Sequence, residues 1–369
     1  MKIGIIDPVG IKSGMNHYDY SLAISLQKQA VKPYIYSNFE VENSEVITKS
    51  YFGVMFSSKL SQTINFLKGM LLTCFHCKRH DINTIIVHVF STHMMAFLTY
   101  FISKVFGLKI ITIAHDVSSF TNQDNRIFHW LIYEKWSKYI IVHNEFSKQS
   151  ILPLIKESLH SKLRIIKHGA FLTLPDQSIS TDIAREKLNL DPKRHYILFF
   201  GRLKPTKRLD VLLNAMPAID NSIHLIIAGS SGKVNFHQYQ EAIDRLNISD
   251  RVLLDVNYIT EEKRELYFKA VNAMILPYEV IFQSGVLLMS MSYGIPVVVS
   301  DIPPFKEVIV DENNGSIFQS LNPTDLAQKI NTLIQDESLK KNYSVNAIQT
   351  MKTNYSWDDI AKQYIPLIS

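Results

Sequence analysis

ILFFGRLKPTKRLDVLLNAM, residues 197–216, decides the reading of the fold. Ile197, Leu198, Phe199 and Phe200 form a short apolar run that stops at Gly201, the pattern of a buried strand. Arg202 to Lys207 follows as a loop with three cations and Pro205. Leu209, Leu212, Leu213 and Met216 then recur at i, i+3, i+4 and i+7, one apolar face of a helix. Strand, basic loop, helix is one α/β unit, and its loop lies on the sheet edge where parallel α/β folds take ligands. A helix start flanked by Arg202 and Lys207 suits a phosphate or diphosphate. On spacing alone, two solvated surface cations explain the same residues equally well.

A second stretch, LPYEVIFQSGVLLMSMSYGIPVVVSD (276–301), has the same construction. A strand ends in a loop from Tyr278 to Gly285, and a helix runs from there to about Met291. Gly294, Pro296 and the strand Val297–Ser300 close the unit. Ser284 can cap the helix, and the amides of Ser284, Gly285 and Val286 would be free for an anion.

Gly201-Arg202-x4-Lys207 after an apolar strand resembles the donor-binding domain of the GT-B glycosyltransferases, family 4, the glycosyl transferases group 1. The resemblance covers nearly all of the second half of the chain and is looser over the first. It implies an α/β fold of two Rossmann-like domains facing a central cleft, with a C-terminal helix crossing back to the N-terminal domain. It implies that Arg202 and Lys207 hold the diphosphate of a UDP- or GDP-linked sugar. Gly201, Gly229, Tyr278, Gln283, Ser284, Gly285 and Val286 are then donor-binding residues. One departure stands out. The Glu-x7-Glu of many members falls on Ile281 and Met289, neither of which can act as a carboxylate. Gln283-Ser284-Gly285 resembles a subgroup with Ser-Gly in place of Phe-Gly, which often keeps a later glutamate, here Glu307 in Lys306-Glu307-Val308. Glu279, two residues early, is the other candidate carboxylate.

The N-terminal half opens on a strand, Lys2 to Asp7, then a loop with Pro8, Gly10 and Gly14, then a helix from about Asn16. The loop lacks Gly-x-Gly-x-x-Gly and so is no dinucleotide fingerprint. In the family the matching loop faces the cleft, which makes Gly14 a candidate. Strands over 108–116, 139–145 and 163–169 each deliver a histidine at or near the C-terminal end: His115, His143 and His168. Singly, such histidines are more often packed or solvated. The resemblance implies that His115 approaches the donor sugar and that His168-Gly169 lies close to the interdomain linker. Thr92 to Phe106 reads as a very apolar core helix, a membrane-surface patch being the lesser reading.

Polar residues over 175–190 suggest the domain boundary. We expect an acceptor-binding domain at 1–178 with the C-terminal helix 355–369, and a nucleotide-sugar domain at 179–354. The chain has 369 residues, 46% hydrophobic and 20% charged, with a net charge of +5. Residues 1–180 carry 19 Lys and Arg against 12 Asp and Glu; residues 181–369 carry 20 against 22. The basic half suggests an anionic partner, such as a phosphate- or uronate-bearing acceptor or a lipid surface. No nucleic-acid motif occurs. No apolar run reaches the ~18 residues of a membrane span, and the N-terminus reads as a strand, so a cytoplasmic protein, peripheral on the inner membrane face, is expected. Cys74 and Cys77 with His80 supply half a zinc site at most, and two reduced thiols in a helix is the favoured reading. The chain has no Asp-x-Asp. The resemblance therefore implies a retaining, metal-independent transferase without a cofactor, acting on a saccharide or lipid-linked saccharide in cell-surface polysaccharide or glycolipid synthesis. The alternatives are a catalytically silent nucleotide- or glycan-binding protein and a nucleotide-sugar epimerase on the same fold.

Overall fold

The structure, a computed structural model, describes residues 1–10, 15–41, 45–53, 59–117, 125–232 and 234–368. Gly14 lies outside the described residues. The chain divides into two compact units, Met1–Gly169 with Tyr355–Ser369, and Ala170–Asn354.

The first unit holds a parallel sheet of β1 (Lys2–Ile6), β2 (Lys32–Ser37), β3 (Ile47–Ser50), β4 (Thr84–Val89), β5 (Lys109–Ala114), β6 (Ser137–Val142) and β7 (Leu163–Ile165). Its spatial order is β3-β2-β1-β4-β5-β6-β7. The second holds β8 (His195–Phe200), β9 (Ile223–Ala228), β10 (Val252–Asp255), β11 (Ala273–Leu276), β12 (Val297–Ser300) and β13 (Ser316–Phe318), in the order β10-β9-β8-β11-β12-β13. The strands read as near-continuous apolar runs because helices cover both faces: all six residues of β9 are buried. In each sheet the order reverses once, between β1 and β4 and between β8 and β11. The helices that follow the two strands at such a point go to opposite faces of the sheet, which opens a crevice beyond the strands' carboxyl ends.

The C-terminal helix Trp357–Ile368 belongs to the first unit. Ile360 and Tyr364 join Tyr18 and Leu22 of the helix Asn16–Lys28 in one buried cluster. The Trp357 ring lies on Gly169, where an added Cβ would come within 2.2 Å of it. Lys28 pairs with Asp358 at 3.1 Å.

Three features differ from the sequence reading. Residues 170–178 fall in the second unit, where the Phe171 amide donates to Ser292 Oγ and the Asp176 amide to Glu265 Oε1, both at 2.9 Å. Strand β3 was not anticipated, being four residues of mixed polarity. The apolar helix, Met94–Val105, is not a core helix: its buried residues are Thr99, Tyr100 and Ser103, and Met94, Phe101 and Val105 are exposed. Cys74 and Cys77 are buried free thiols on the helix Lys59–Arg79. Burial pushes them up to about 12 and about 11, which makes both poor nucleophiles.

Candidate functional site

Most of the residues singled out from sequence lie on the carboxyl edges of the two sheets, one group in each unit. In the second unit the loops after β8 and β11 meet. The Glu279 amide donates to the Thr206 carbonyl at 2.9 Å. Between the loops the Lys207 ammonium lies 5.1 Å from the centre of the Tyr278 ring and donates to the Phe200 carbonyl at 3.2 Å. Desolvation, with Lys204 as a lesser like-charge contribution, pushes Lys207 down to about 7. This is a half-buried cation that no carboxylate neutralises among the described residues. Tyr278 is buried, which holds its hydroxyl well above the ordinary value, and that hydroxyl has no hydrogen-bond partner among the described residues. A small anion between the loops would give Lys207 its counter-charge.

Glycines allow the close approach. Gly201 has φ +93, and an added Cβ would lie 3.1 Å from Lys207 Nζ. Gly229, with φ +148, abuts it so tightly that an added Cβ would meet the Gly201 carbonyl oxygen at 2.2 Å. Arg202 is exposed, and its guanidinium packs on Gly232. Arg208 takes the left-handed conformation, φ 50, so that the helix Leu209–Ala215 starts two residues beyond Lys207.

The helix Gly285–Ser292 begins on the same edge. Ser284 is buried and caps it, its Oγ accepting from the Leu287 amide at 3.2 Å. No atom of the described residues lies within 4 Å of a Cβ added at Gly285, so they leave space beside the helix start. Val286 packs toward Gly201, 3.6 Å from the Cβ position there. Gln283 is half-buried just before the cap, and Glu307 is exposed at the end of the short helix Pro303–Lys306. Ile281 and Met289 are both half-buried. Glu279 is paired with Arg208 at 3.0 Å, and Arg208 also holds Asp210 at 2.7 Å. That carboxylate is therefore already engaged by a cation.

In the first unit, four histidines surround the buried Tyr18 ring, with ring centroids 4.9 to 5.8 Å away: His88, His115, His143 and His168. His88, near the end of β4, was missed from sequence, as was Asp19. His88 Nε2 lies 2.8 Å from Asp19 Oδ1, and His88 Nδ1 lies 2.8 Å from His115 Nε2. Burial lifts Asp19 to about 7 against the opposing pull of His88. Burial also works against protonating His88, but Asp19 outweighs it and the net shift is upward. His115 is held well below its ordinary value by burial and then by His143, His88 and His168. His143 falls to about 3 and His168 to about 4, burial being the first cause in both. Their Nδ1 atoms donate to the carbonyls of Ile166 and Gly169, at 2.9 and 2.7 Å.

Beside this cluster, between the ends of β1 and β4, opens a cavity of about 370 Å³. Its lining includes Asp7, Val9, Phe52, Phe66, His88 and Phe90. Phe90 stacks on His115 at 4.6 Å. Asp7 is buried, and its Oδ2 has no hydrogen-bond partner among the described residues.

Residues 180–350 match the family model of the glycosyl transferases group 1. An uncharacterised glycosyltransferase of Methanocaldococcus jannaschii is 27% identical over 183 residues, 49% of this chain and 46% of that protein. A D-inositol 3-phosphate glycosyltransferase of Xylanimonas cellulosilytica is 24% identical over 192 residues, 51% and 45% of the two chains. The match thus spans about half the length of these relatives. Among solved structures, Anabaena HepE in complex with UDP-glucose superposes with a TM-score of 0.78 at 15% identity, covering 100% of this chain and 99% of that one. Sucrose-phosphate synthase of Thermosynechococcus elongatus gives 0.76 at 18% identity, covering 100% and 98%. WaaG, a glycosyltransferase involved in lipopolysaccharide biosynthesis, gives 0.69 at 13%, covering 100% and 99%. The chain has the GT-B fold.

Proposed function

We propose that the protein is a glycosyltransferase that moves a sugar from a UDP- or GDP-linked donor to a hydroxyl of a saccharide or lipid-linked saccharide. The observation that carries this reading is the half-buried Lys207 ammonium, pushed down to about 7 at the reversal point of a parallel sheet, with no carboxylate among the described residues to neutralise it. A diphosphate supplies the missing charge. Lys207 and Arg202 would take the negative charge that develops as the bond from the sugar's anomeric carbon to the phosphate oxygen breaks. The amides at Ser284 and Gly285 would share it. The acceptor oxygen forms the new bond to that carbon, and its proton passes to the leaving phosphate. These groups do a bound metal's electrostatic work, so we read the reaction as metal-independent. Retention of anomeric configuration and a role in cell-surface glycan assembly at the inner membrane face are part of the same reading. The family model over 180–350 and the GT-B neighbour holding UDP-glucose support it.

A catalytically silent binding protein is the second reading, favoured by Ile281 and Met289 at the places of the usual glutamates. Thermal stabilisation by a panel of nucleotides, with Arg202→Ala and Lys207→Ala alongside, separates them when followed by turnover. A shift with one diphosphate, lost in both variants, with transfer from the matching sugar in EDTA, is the expected result. A shift without transfer or hydrolysis favours the silent protein, and no shift with any nucleotide overturns the transferase and leaves a glycan-binding protein.

A further inference from the structure

The helix Met94–Val105 is turned the wrong way round for contact with water. Its polar side faces the sheet. Tyr100 is hydrogen-bonded with Thr112 of β5 at 2.6 Å, and Thr112 with Ser137 of β6 at 2.5 Å. Thr99 and Ser103 donate to carbonyls one turn back, those of Met95 and Thr99, at 3.0 and 2.7 Å. Every buried hydroxyl on that side is thus satisfied, and the apolar side is left outward. Phe101 is 47% exposed, Val105 68% and Met94 55%.

The outward side continues onto both neighbours. The helix Lys59–Arg79 packs against this one and presents Phe75, 62% exposed, with Leu71 and Leu72 exposed beside it in sequence. Phe75 meets Phe106 edge to face at 5.1 Å. On the other flank, Phe97 stacks on Phe128 at 4.5 Å and lies 5.5 Å from Trp136, in the segment that exposes Ile127 and Trp130. Exposed single apolar side chains are ordinary; a run of them across three packed elements is not.

The charge on these elements is overwhelmingly positive. Over Lys59–Arg79, Met94–Val105 and Arg126–Trp136 the sequence holds seven Lys or Arg and one acid, Glu134. Lys135 sits over the Trp130 ring at 5.1 Å, and Lys68, Lys78 and Arg79 are exposed. A second copy of the chain is a poor partner for this surface. A two-fold contact sets a patch against itself, and here it would bring cations to cations with almost no acid to separate them. An anionic bilayer answers both features: headgroups take the cations, and the acyl boundary takes the aromatic and aliphatic side chains. No helix among the described residues is long and apolar enough to cross a membrane, so the contact is with the surface.

We propose that the face built by Lys59–Arg79, Met94–Val105 and Arg126–Trp136 docks the protein on an anionic lipid surface. It gives the membrane contact of the proposed function a place, but neither its residues nor its test involve the nucleotide site, so either can fail alone.

The test is flotation of the purified full chain with vesicles of phosphatidylcholine alone and of phosphatidylcholine with 30% phosphatidylglycerol. Light scattering without vesicles and a thermal melt accompany it. Phe75→Ser/Phe101→Ser/Val105→Ser changes only exposed side chains and should melt as the parent does. Lys68→Glu/Lys78→Glu, with the apolar side chains intact, is the second variant. Expected is partition to the anionic vesicles, at least tenfold above the neutral ones and falling with salt, and at least tenfold weaker in either variant. Equal binding of parent and both variants overturns the assignment of the face. No partition to either vesicle overturns the proposal, whether the chain is monomeric or forms a dimer that the serine variant dissolves.

Discussion

The Lys207 ammonium lies 5.1 Å from the centre of the buried Tyr278 ring, where desolvation leaves it half-titrated at about pH 7. A diphosphate bound there must raise the lysine's pKa, since an adjacent anion favours the charged form. At pH 8 the free protein holds this lysine mostly neutral, and the complex holds it protonated. Binding should therefore take up close to one proton at pH 8 and about half a proton at pH 7. Calorimetry of UDP and GDP binding in two buffers of different ionisation enthalpy reads this directly. The uptake should vanish in Lys207→Met. That variant should also melt no lower than the parent, because it replaces a desolvated cation with an apolar chain. Binding with no uptake at either pH would place the diphosphate elsewhere.

Gly229 and Gly285 should respond to alanine in opposite ways. At Gly229 the Cβ would meet the Gly201 carbonyl oxygen at 2.2 Å, a backbone atom that cannot step aside, and φ is +148. Gly229→Ala should cost on the order of 3 kcal/mol of stability. At Gly285 the added Cβ meets no atom of the described residues within 4 Å. Gly285→Ala should leave the melting temperature within about 2 °C, equivalent to ~0.5 kcal/mol. Its nucleotide affinity should drop about tenfold or more, because the methyl group enters the space in front of the helix start. Chemical denaturation and nucleotide titration of both variants separate the effects. An unaffected affinity in Gly285→Ala removes that helix start from the site.

Glu279 is the one carboxylate in the loop after β11, and Arg208 holds it at 3.0 Å. Both side chains are partly exposed, so the pair contributes less than about 1 kcal/mol. Glu279→Gln should keep kcat within about threefold of the parent, because a carboxylate neutralised by arginine is a weak general base. A loss of a hundredfold or more, with the melting curve unchanged, would show that Glu279 leaves Arg208 during turnover and acts on substrate.

How much of this was legible follows from what each signal encodes. The strand-loop-helix order around Gly201 and Ser284 is local, and the ladder of parallel strands follows from apolar runs separated by helices. The meeting of Lys207 with Tyr278 is not local: it depends on β8 and β11 being neighbours although two strands intervene in sequence. His88 escaped for the same reason. It reads as one polar residue inside an apolar strand until β4 is set between β1 and β5 and the helix Asn16–Lys28 brings Asp19 within 2.8 Å. The helix Met94–Val105 misled for another reason. Periodicity says which residues share a face, but it does not say which face turns to the sheet, and here Tyr100, Thr112 and Ser137 decide it.

The histidine cluster makes the first unit sensitive to acid, with a sign that can be worked out group by group. His115, His143 and His168 are neutral in the folded chain because burial and mutual repulsion disfavour the charge, yet each binds a proton near pH 6.5 once unfolded. The unfolded state therefore binds up to three more protons as pH falls below 6.5, and stability falls with it, down to about pH 4 for His168 and about 3 for His143. Asp19 and His88 hold one proton between them across their 2.8 Å contact, since the ionised Asp19 is what raises His88. Between about pH 4 and 6.5 the unfolded pair also holds one, on His88, so the pair contributes little. The net difference approaches three protons near pH 5, a slope of roughly 4 kcal/mol per pH unit. Urea midpoints followed by the fluorescence of Trp130, Trp136 and Trp357, all in the first unit, measure it. His143→Asn keeps a donor for the Ile166 carbonyl but cannot titrate, so its slope should be about two-thirds that of the parent. Equal slopes in the two proteins would mean that His143 is charged in the fold, and the cluster would then need a counter-ion beyond Asp19 and Asp7.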